Sequence, residues 1–137
     1  MKYLLLLILL CLPIPAAAVA QIVVPVTITY QGRSVTAPMA VDTGASVTTI
    51  DDSLADQLGI TACSGSGQAQ MADGSAVPYC SAVMDSLAAS SMTRAALRIN
   101  IMDYSANRQA RGMLGLDFLS GMTLTLDWKN RRIYWSE

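Results

Sequence analysis

Short stretches of apolar and polar residues succeed one another along this chain, and few of them keep a helical period. Ile22 to Tyr30 is dominated by β-branched residues, which predicts a strand, and Pro25 near its start predicts an edge position because proline has no amide to offer a neighbour. Gln31-Gly32 turns the chain, and the alternation from Arg33 to Val41 predicts a second strand in a hairpin with the first. A further β-branched run, Val47 to Ile50, follows Asp42-Thr43-Gly44. Asp51 to Gly59 then has acidic and hydroxyl residues at its start, Leu54 and Leu58 four apart, and a closing glycine. This is the signature of a short capped helix.

Beyond the helix the pattern weakens. Thr61 to Gly67 is rich in Gly and Ser and is expected to be a loop, and Asp73-Gly74 within Gln68 to Val77 is a hairpin signal. From Val83 to Met102, Ser, Ala and Met recur without clear period, and only Ala95 to Ile101 reads as a strand. Met113-Leu114-Gly115 is a tight apolar pair before a glycine, followed by a helical turn. Met122 to Trp128 and Arg132 to Trp135 flank Lys129-Asn130-Arg131 as a last hairpin. The sum is one mostly-β domain with one or two short helices over residues 21–137.

The first twenty residues differ from the rest. Lys2 gives a positive start, Leu4 to Leu12 is unbroken apolar sequence, and Ala16 to Ala20 supplies small residues of the kind that signal peptidase cuts after. Nine apolar residues before Pro13 and Pro15 fall short of the roughly 20 that a membrane-spanning helix needs. We expect a signal peptide over 1–20 and a secreted or periplasmic protein. Retention of the leader is the one route to a membrane. Removing the leader takes Cys11 with it and leaves Cys63 and Cys80, an even number in an oxidising compartment. The expected state is a disulfide, the alternative two separate thiols.

Composition narrows the chemistry. The chain has 137 residues and no histidine, which excludes Ser-His-Asp and Cys-His nucleophilic machinery and His-ligated metals. Nine basic residues against ten acidic ones leave no electrostatic footprint for nucleic acid. Charged residues are 14% and hydrophobic ones 53%, so a core of Val, Ile, Leu, Met and Ala is expected. The eight methionines read as flexible core filler. Arg108, Arg111, Lys129, Arg131 and Arg132 are sparse and expected to be solvated. Trp128, Tyr134 and Trp135 suit either the core or a subunit contact. Acid-base chemistry has to come from carboxylates, Tyr, Lys or Cys.

Asp42-Thr43-Gly44 is ordinary turn chemistry by itself. Three companions give it weight: its place between β-branched runs, the Asp73-Gly74 hairpin about thirty residues on, and Met113-Leu114-Gly115 near the C-terminal end. With these in order, residues 22 to 135 resemble the retropepsin-like aspartic proteases. Val41 to Ser46 is most similar to the Asp-Thr-Gly-Ala subgroup among bacterial members, and Leu114-Gly115-Leu116-Asp117-Phe118-Leu119 to their closing segment.

The resemblance implies a single-domain acid-protease fold and an aspartic endopeptidase that needs no metal or other cofactor. Asp42 would be the catalytic carboxylate. Thr43 would hydrogen-bond across a dimer axis, and Gly44 would let the backbone turn beside the water site. Ala45 and Ser46 would line the substrate. Met71, Ala72, Asp73 and Gly74 would form a flap that closes over bound peptide, and Met113 and Leu114 a subsite wall. Retroviral members usually carry acidic residues where Ser46 and Val47 stand, so their peptide preferences do not transfer. One Asp-Thr-Gly supplies one carboxylate, and the chemistry needs two, so a homodimer is expected. The competing expectation is a peptide-binding module of the same fold without turnover.

Overall fold

The computed structural model describes residues 21–103 and 109–136. The expected leader and Arg108 lie outside them. Along the chain run β1 (Val23–Tyr30), β2 (Arg33–Val41), β3 (Thr49–Asp51), α1 (Asp52–Leu58), β4 (Gly65–Gln70), β5 (Ala76–Val83), β6 (Ser86–Ala89), β7 (Met92–Ala95), β8 (Arg98–Met102), β9 (Gly112–Leu114), α2 (Leu116–Leu119), β10 (Thr123–Asp127) and β11 (Arg132–Ser136). Among the described residues, nine strands form one sheet in the order β4-β5-β8-β3-β9-β2-β1-β6-β7, and β10 and β11 pair separately.

The first hairpin closes at Gln31 and Gly32, both at positive φ (47° and 78°), the two-residue turn whose twist matches paired strands. β1 is not an edge strand: it pairs with β2 on one side and, from Thr27 to Thr29, with β6 on the other. Pro25 is tolerated because it lies outside the stretch that β6 pairs. It faces Pro38 across the hairpin, and the Pro38 carbonyl points away to accept the Arg111 amide at 2.7 Å.

α1 follows its local signals. The Asp51 carboxylate accepts the Leu54 amide at 2.6 Å, and Gly59 takes the left-handed conformation (φ 76°) that ends the helix. Leu54, Ala55 and Leu58 face the sheet. There they join Val26, Ile28, Met39, Ile50, Met84, Leu87, Ile99 and Leu114 in one core, with Phe118 from α2 also fully buried. Trp135 packs on Phe118 with ring centroids 6.5 Å apart, whereas Trp128 and Tyr134 point to solvent.

Two segments depart from the expected pattern. The stretch expected as a loop over Thr61 to Gly67 becomes strand from Gly65 onward. A Cβ on Gly65 would lie 2.7 Å from the Ser81 hydroxyl and one on Gly67 2.7 Å from the Tyr79 hydroxyl, so these glycines admit side chains from β5. The strand expected over Ala95 to Ile101 is broken. Ala95 ends β7, Ala96 turns at φ 53°, and β8 begins at Arg98.

Cys63 and Cys80 form a disulfide with Cα atoms 5.4 Å apart. It ties the chain leaving α1 to β5 and encloses the β4–β5 hairpin, a constraint worth about 3 kcal/mol in the chain-entropy account. Among the described residues, no helix is long and apolar enough to cross a membrane.

Candidate active site

Asp42 follows the last residue of β2, where that strand runs parallel to β9 with Val41 opposite Leu114. Its amide donates to the Leu114 carbonyl at 3.0 Å. The chain then turns tightly. The Gly44 amide donates to Asp42 Oδ1 at 2.9 Å, and the Ala45 amide to the Asp42 carbonyl at 3.3 Å. A Cβ on Gly44 would stand 3.2 Å from that carboxylate oxygen, so glycine keeps the approach open. Asp42 is half-buried, and Thr43, Gly44 and Ser46 are exposed beside it.

The loop returns to β3, which lies on the other side of β9 and antiparallel to it. β9 therefore runs between the two strands that the loop connects, and the chain just after it straps the loop down. The Leu116 and Asp117 amides donate to the Ala45 and Ser46 carbonyls at 2.8 and 3.3 Å. Gly115 passes so close beneath that a Cβ would fall 2.7 to 2.9 Å from Val47 C, Ala45 O and Thr48 N. The Asp117 carboxylate accepts the Thr48 amide and hydroxyl, and the Thr48 hydroxyl in turn accepts the Gly115 amide at 3.1 Å.

The β4–β5 hairpin pairs in register from Gly65↔Ser81 to Gln70↔Ala76, and Met71 to Ser75 make its tip. There the Met71 amide donates to the Ser75 carbonyl, Gly74 adopts φ 83°, and Asp73 accepts the Ser75 amide at 2.8 Å. Hydrogen bonds from Ser75 hold the exposed Asp73 carboxyl below its ordinary pKa.

Between this hairpin and the Asp42 loop lies a cleft of about 420 Å³. Of the residues singled out in the sequence, Gly44, Ala45, Ser46, Met71 and Met113 line it. Asp42 and Thr43 precede the lining residues of the same loop and are not among them, and Ala72, Asp73 and Gly74 are exposed at the hairpin tip and do not line it. Leu114 does not line it either: its side chain is fully buried in the core, and only its carbonyl serves the loop.

Several further residues belong to the cleft or its frame. Val47, Thr49, Ala69, Gln70, Tyr79, Asn100 and Met102 complete the lining. Asn100 had a local signal, a polar residue between Ile99 and Ile101 in an apolar strand; Asp117 stood out only as part of the closing segment, and nothing in the sequence pairs it with Thr48, since only folding joins them. Arg111 is not a free solvated cation. It pairs with Asp51 at 3.1 Å and reaches Ser53 and Gln57, tying the start of β9 to that of α1. A smaller hollow of about 210 Å³ between α1, Ile60 to Cys63 and Cys80 holds none of the residues around Asp42. Among the described residues, no group of three or more Asp, Glu, Cys or His side chains is placed to hold a metal ion.

Two strands joined by a loop that a third strand divides, with a carboxylate at the loop's start and a hairpin beside it, define a retropepsin-like aspartic protease fold. The family model described as aspartyl protease matches residues 24–118, and the chain belongs to that family. Among solved structures, a retropepsin-like aspartic protease from Rickettsia conorii superposes with a TM-score of 0.60 at 17% identity, covering 78% of this chain and 84% of that one. The retroviral protease-like domain of Ddi1 from Leishmania major gives 0.51 at 17% identity, covering 85% and 88%. No curated protein matches the sequence.

Proposed function

We propose that the protein is an aspartic endopeptidase whose active site forms when two copies bring their Asp42 carboxylates together. Two like charges a few Å apart do not both ionise cheaply, so the pair holds one proton. The ionised partner takes a proton from a water held between them, and the protonated partner donates to the peptide carbonyl as the water attacks. The proton then passes to the leaving amine, with no covalent intermediate and no cofactor.

The observation that carries this reading is the strapped loop. Asp42 stands half-buried on a segment held from both sides by backbone hydrogen bonds, beside a cleft of about 420 Å³. Thr43 is exposed next to it and is assigned the hydrogen bond across the dimer axis. The hairpin from Met71 to Gly74 is assigned the role of flap, closing on substrate and excluding water. Residues 1–20, as a leader removed on export, would deliver the domain to the periplasm or the exterior, where the Cys63–Cys80 bridge persists.

The test is hydrolysis of an unfolded protein by wild type and Asp42→Asn across acid to neutral pH. The expected results are acid-favoured cleavage, inhibition by a statine-type mimic of the tetrahedral state, and a loss of about 10²–10⁴-fold or more in Asp42→Asn. Equal rates for the two proteins would remove the proposal. Peptide binding without any cleavage by wild type would favour a binding module of the same fold.

A further inference from the structure

We propose that Asn100 is a specificity-determining residue of the cleft, reading a neutral side chain that hydrogen-bonds through a carboxamide, so that glutamine is preferred and charged side chains are turned away. This rests on the cleft being the peptide site.

The alternation of β8 sends Ile99 and Ile101 into the core and leaves Asn100 and Met102 on the face that borders the cleft. Ser81, Asn100, Thr49 and Met113 then stand side by side across four neighbouring strands. The two hydroxyls flanking Asn100 have partners other than Asn100. Ser81 accepts from Arg98 at 3.3 Å, and Thr49 donates to the Val47 carbonyl at 3.3 Å. The Asn100 side chain is half-buried and has no hydrogen-bond partner among the described residues. A carboxamide so placed offers N–H donors and an acceptor oxygen to whatever fills the cleft.

Among side chains at pH 7, only another carboxamide holds an N–H and an oxygen side by side, so that it pairs with both at once where a hydroxyl pairs with one at a time. A carboxylate answers the Asn100 N–H and leaves its oxygen unpaired, and an ammonium finds no counter-ion among the lining residues, which include no Asp, Glu, Lys or Arg. Met71, Met102 and Met113 surround the approach with unbranched, adaptable side chains suited to a straight methylene stem. Glutamine has both the stem and the head group.

The experiment measures binding of eight-residue peptides to the full-length Asp42→Asn protein at pH 7 by fluorescence anisotropy, placing Gln, Glu, Met or Lys at each position in turn. At one position Gln is expected to bind about tenfold tighter than Glu or Lys. Asn100→Leu is expected to erase the advantage of Gln over Met there, and Asn100→Asp to move the preference to Lys. The Asp variant carries the test should the Leu variant fail to fold. Equal binding of charged and neutral residues, a rank order unchanged in a folded Asn100 variant, or no binding of any peptide would overturn the proposal. Wild-type protein that binds with the expected preference but leaves the Gln peptide uncut sinks the protease reading alone.

Discussion

The Asp117 carboxylate grips Thr48 at both ends: the Thr48 amide donates to its two oxygens at 2.9 and 3.0 Å, and the Thr48 hydroxyl donates to Oδ1 at 2.7 Å. The same oxygen accepts the Phe118 amide at 2.8 Å. Sixty-nine residues separate the pair in sequence, yet this is where the outgoing leg of the Asp42 loop is fixed to the segment after β9. Asp117→Ala would strand a fully buried Thr48 with two donors and no acceptor. The expected cost is about 2–4 kcal/mol in urea unfolding. Asp117→Asn keeps the volume and one acceptor oxygen and should cost less than the alanine variant. A smaller loss for alanine than for asparagine would show that the carboxylate is not the anchor.

Gly115 offers a sharper probe of the same strap. An alanine there puts a methyl 2.7 to 2.9 Å from three backbone atoms of residues 45 to 48, none of which can swing aside as a side-chain tip does. Gly115→Ala is expected to destabilise by about 2 kcal/mol or more and to displace the Asp42 loop. Gly74→Ala at the hairpin tip meets nothing within 4 Å and costs only its left-handed backbone, about 1 kcal/mol. Thermal denaturation of the two variants checks the order.

The parts of this molecule legible in sequence were those whose cause is local. Asp51 and Gly59 cap α1 within a few residues of it, and Gln31-Gly32 and the 129–131 turn sit between alternating strands. β4 was obscured because Gly65 and Gly67 speak of a loop, while their purpose, room for Ser81 and Tyr79, lies on another strand. β6 and β7 join through Ser90 at φ 54°, a turn without the glycine that would mark it. Asp42-Thr43-Gly44 marked the candidate site, but the cleft walls come from β5, β8 and the hairpin, and only register brings Asn100 beside Thr49.

Asp51 gives the fold an acid-sensitive clasp. Burial pushes its carboxyl up, but hydrogen bonds from Arg111, the Leu54 amide and Ser53, with the Arg111 charge, outweigh that and hold it below the ordinary 3.8. A carboxyl depressed in the folded state stabilises it above the unfolded pKa, and that contribution is lost as pH falls through the folded value. Stability should therefore decline below about pH 4, through loss of the α1 cap and the Arg111 pair together. Asp51→Ala is expected to cost about 1–2 kcal/mol at pH 7 and to flatten this acid limb. Urea unfolding from pH 7 to 2.5 would show an undiminished limb if the clasp resides elsewhere.

The proposed sharing of the site between two copies would make catalysis a matter of mass action. The concentration of paired Asp42 residues rises with the square of protein concentration well below the dissociation constant, and linearly above it. Specific activity should therefore climb on concentrating a dilute sample and then level off, with sedimentation showing the dimer over the same range. Thr43→Val, which removes the hydroxyl assigned to the cross-axis bond at constant volume, should push that climb to higher concentration, while Thr43→Ser should stay near wild type. Specific activity independent of dilution in a protein that sediments as a monomer would mean that one Asp42 suffices, and the two-carboxylate mechanism would fall with it.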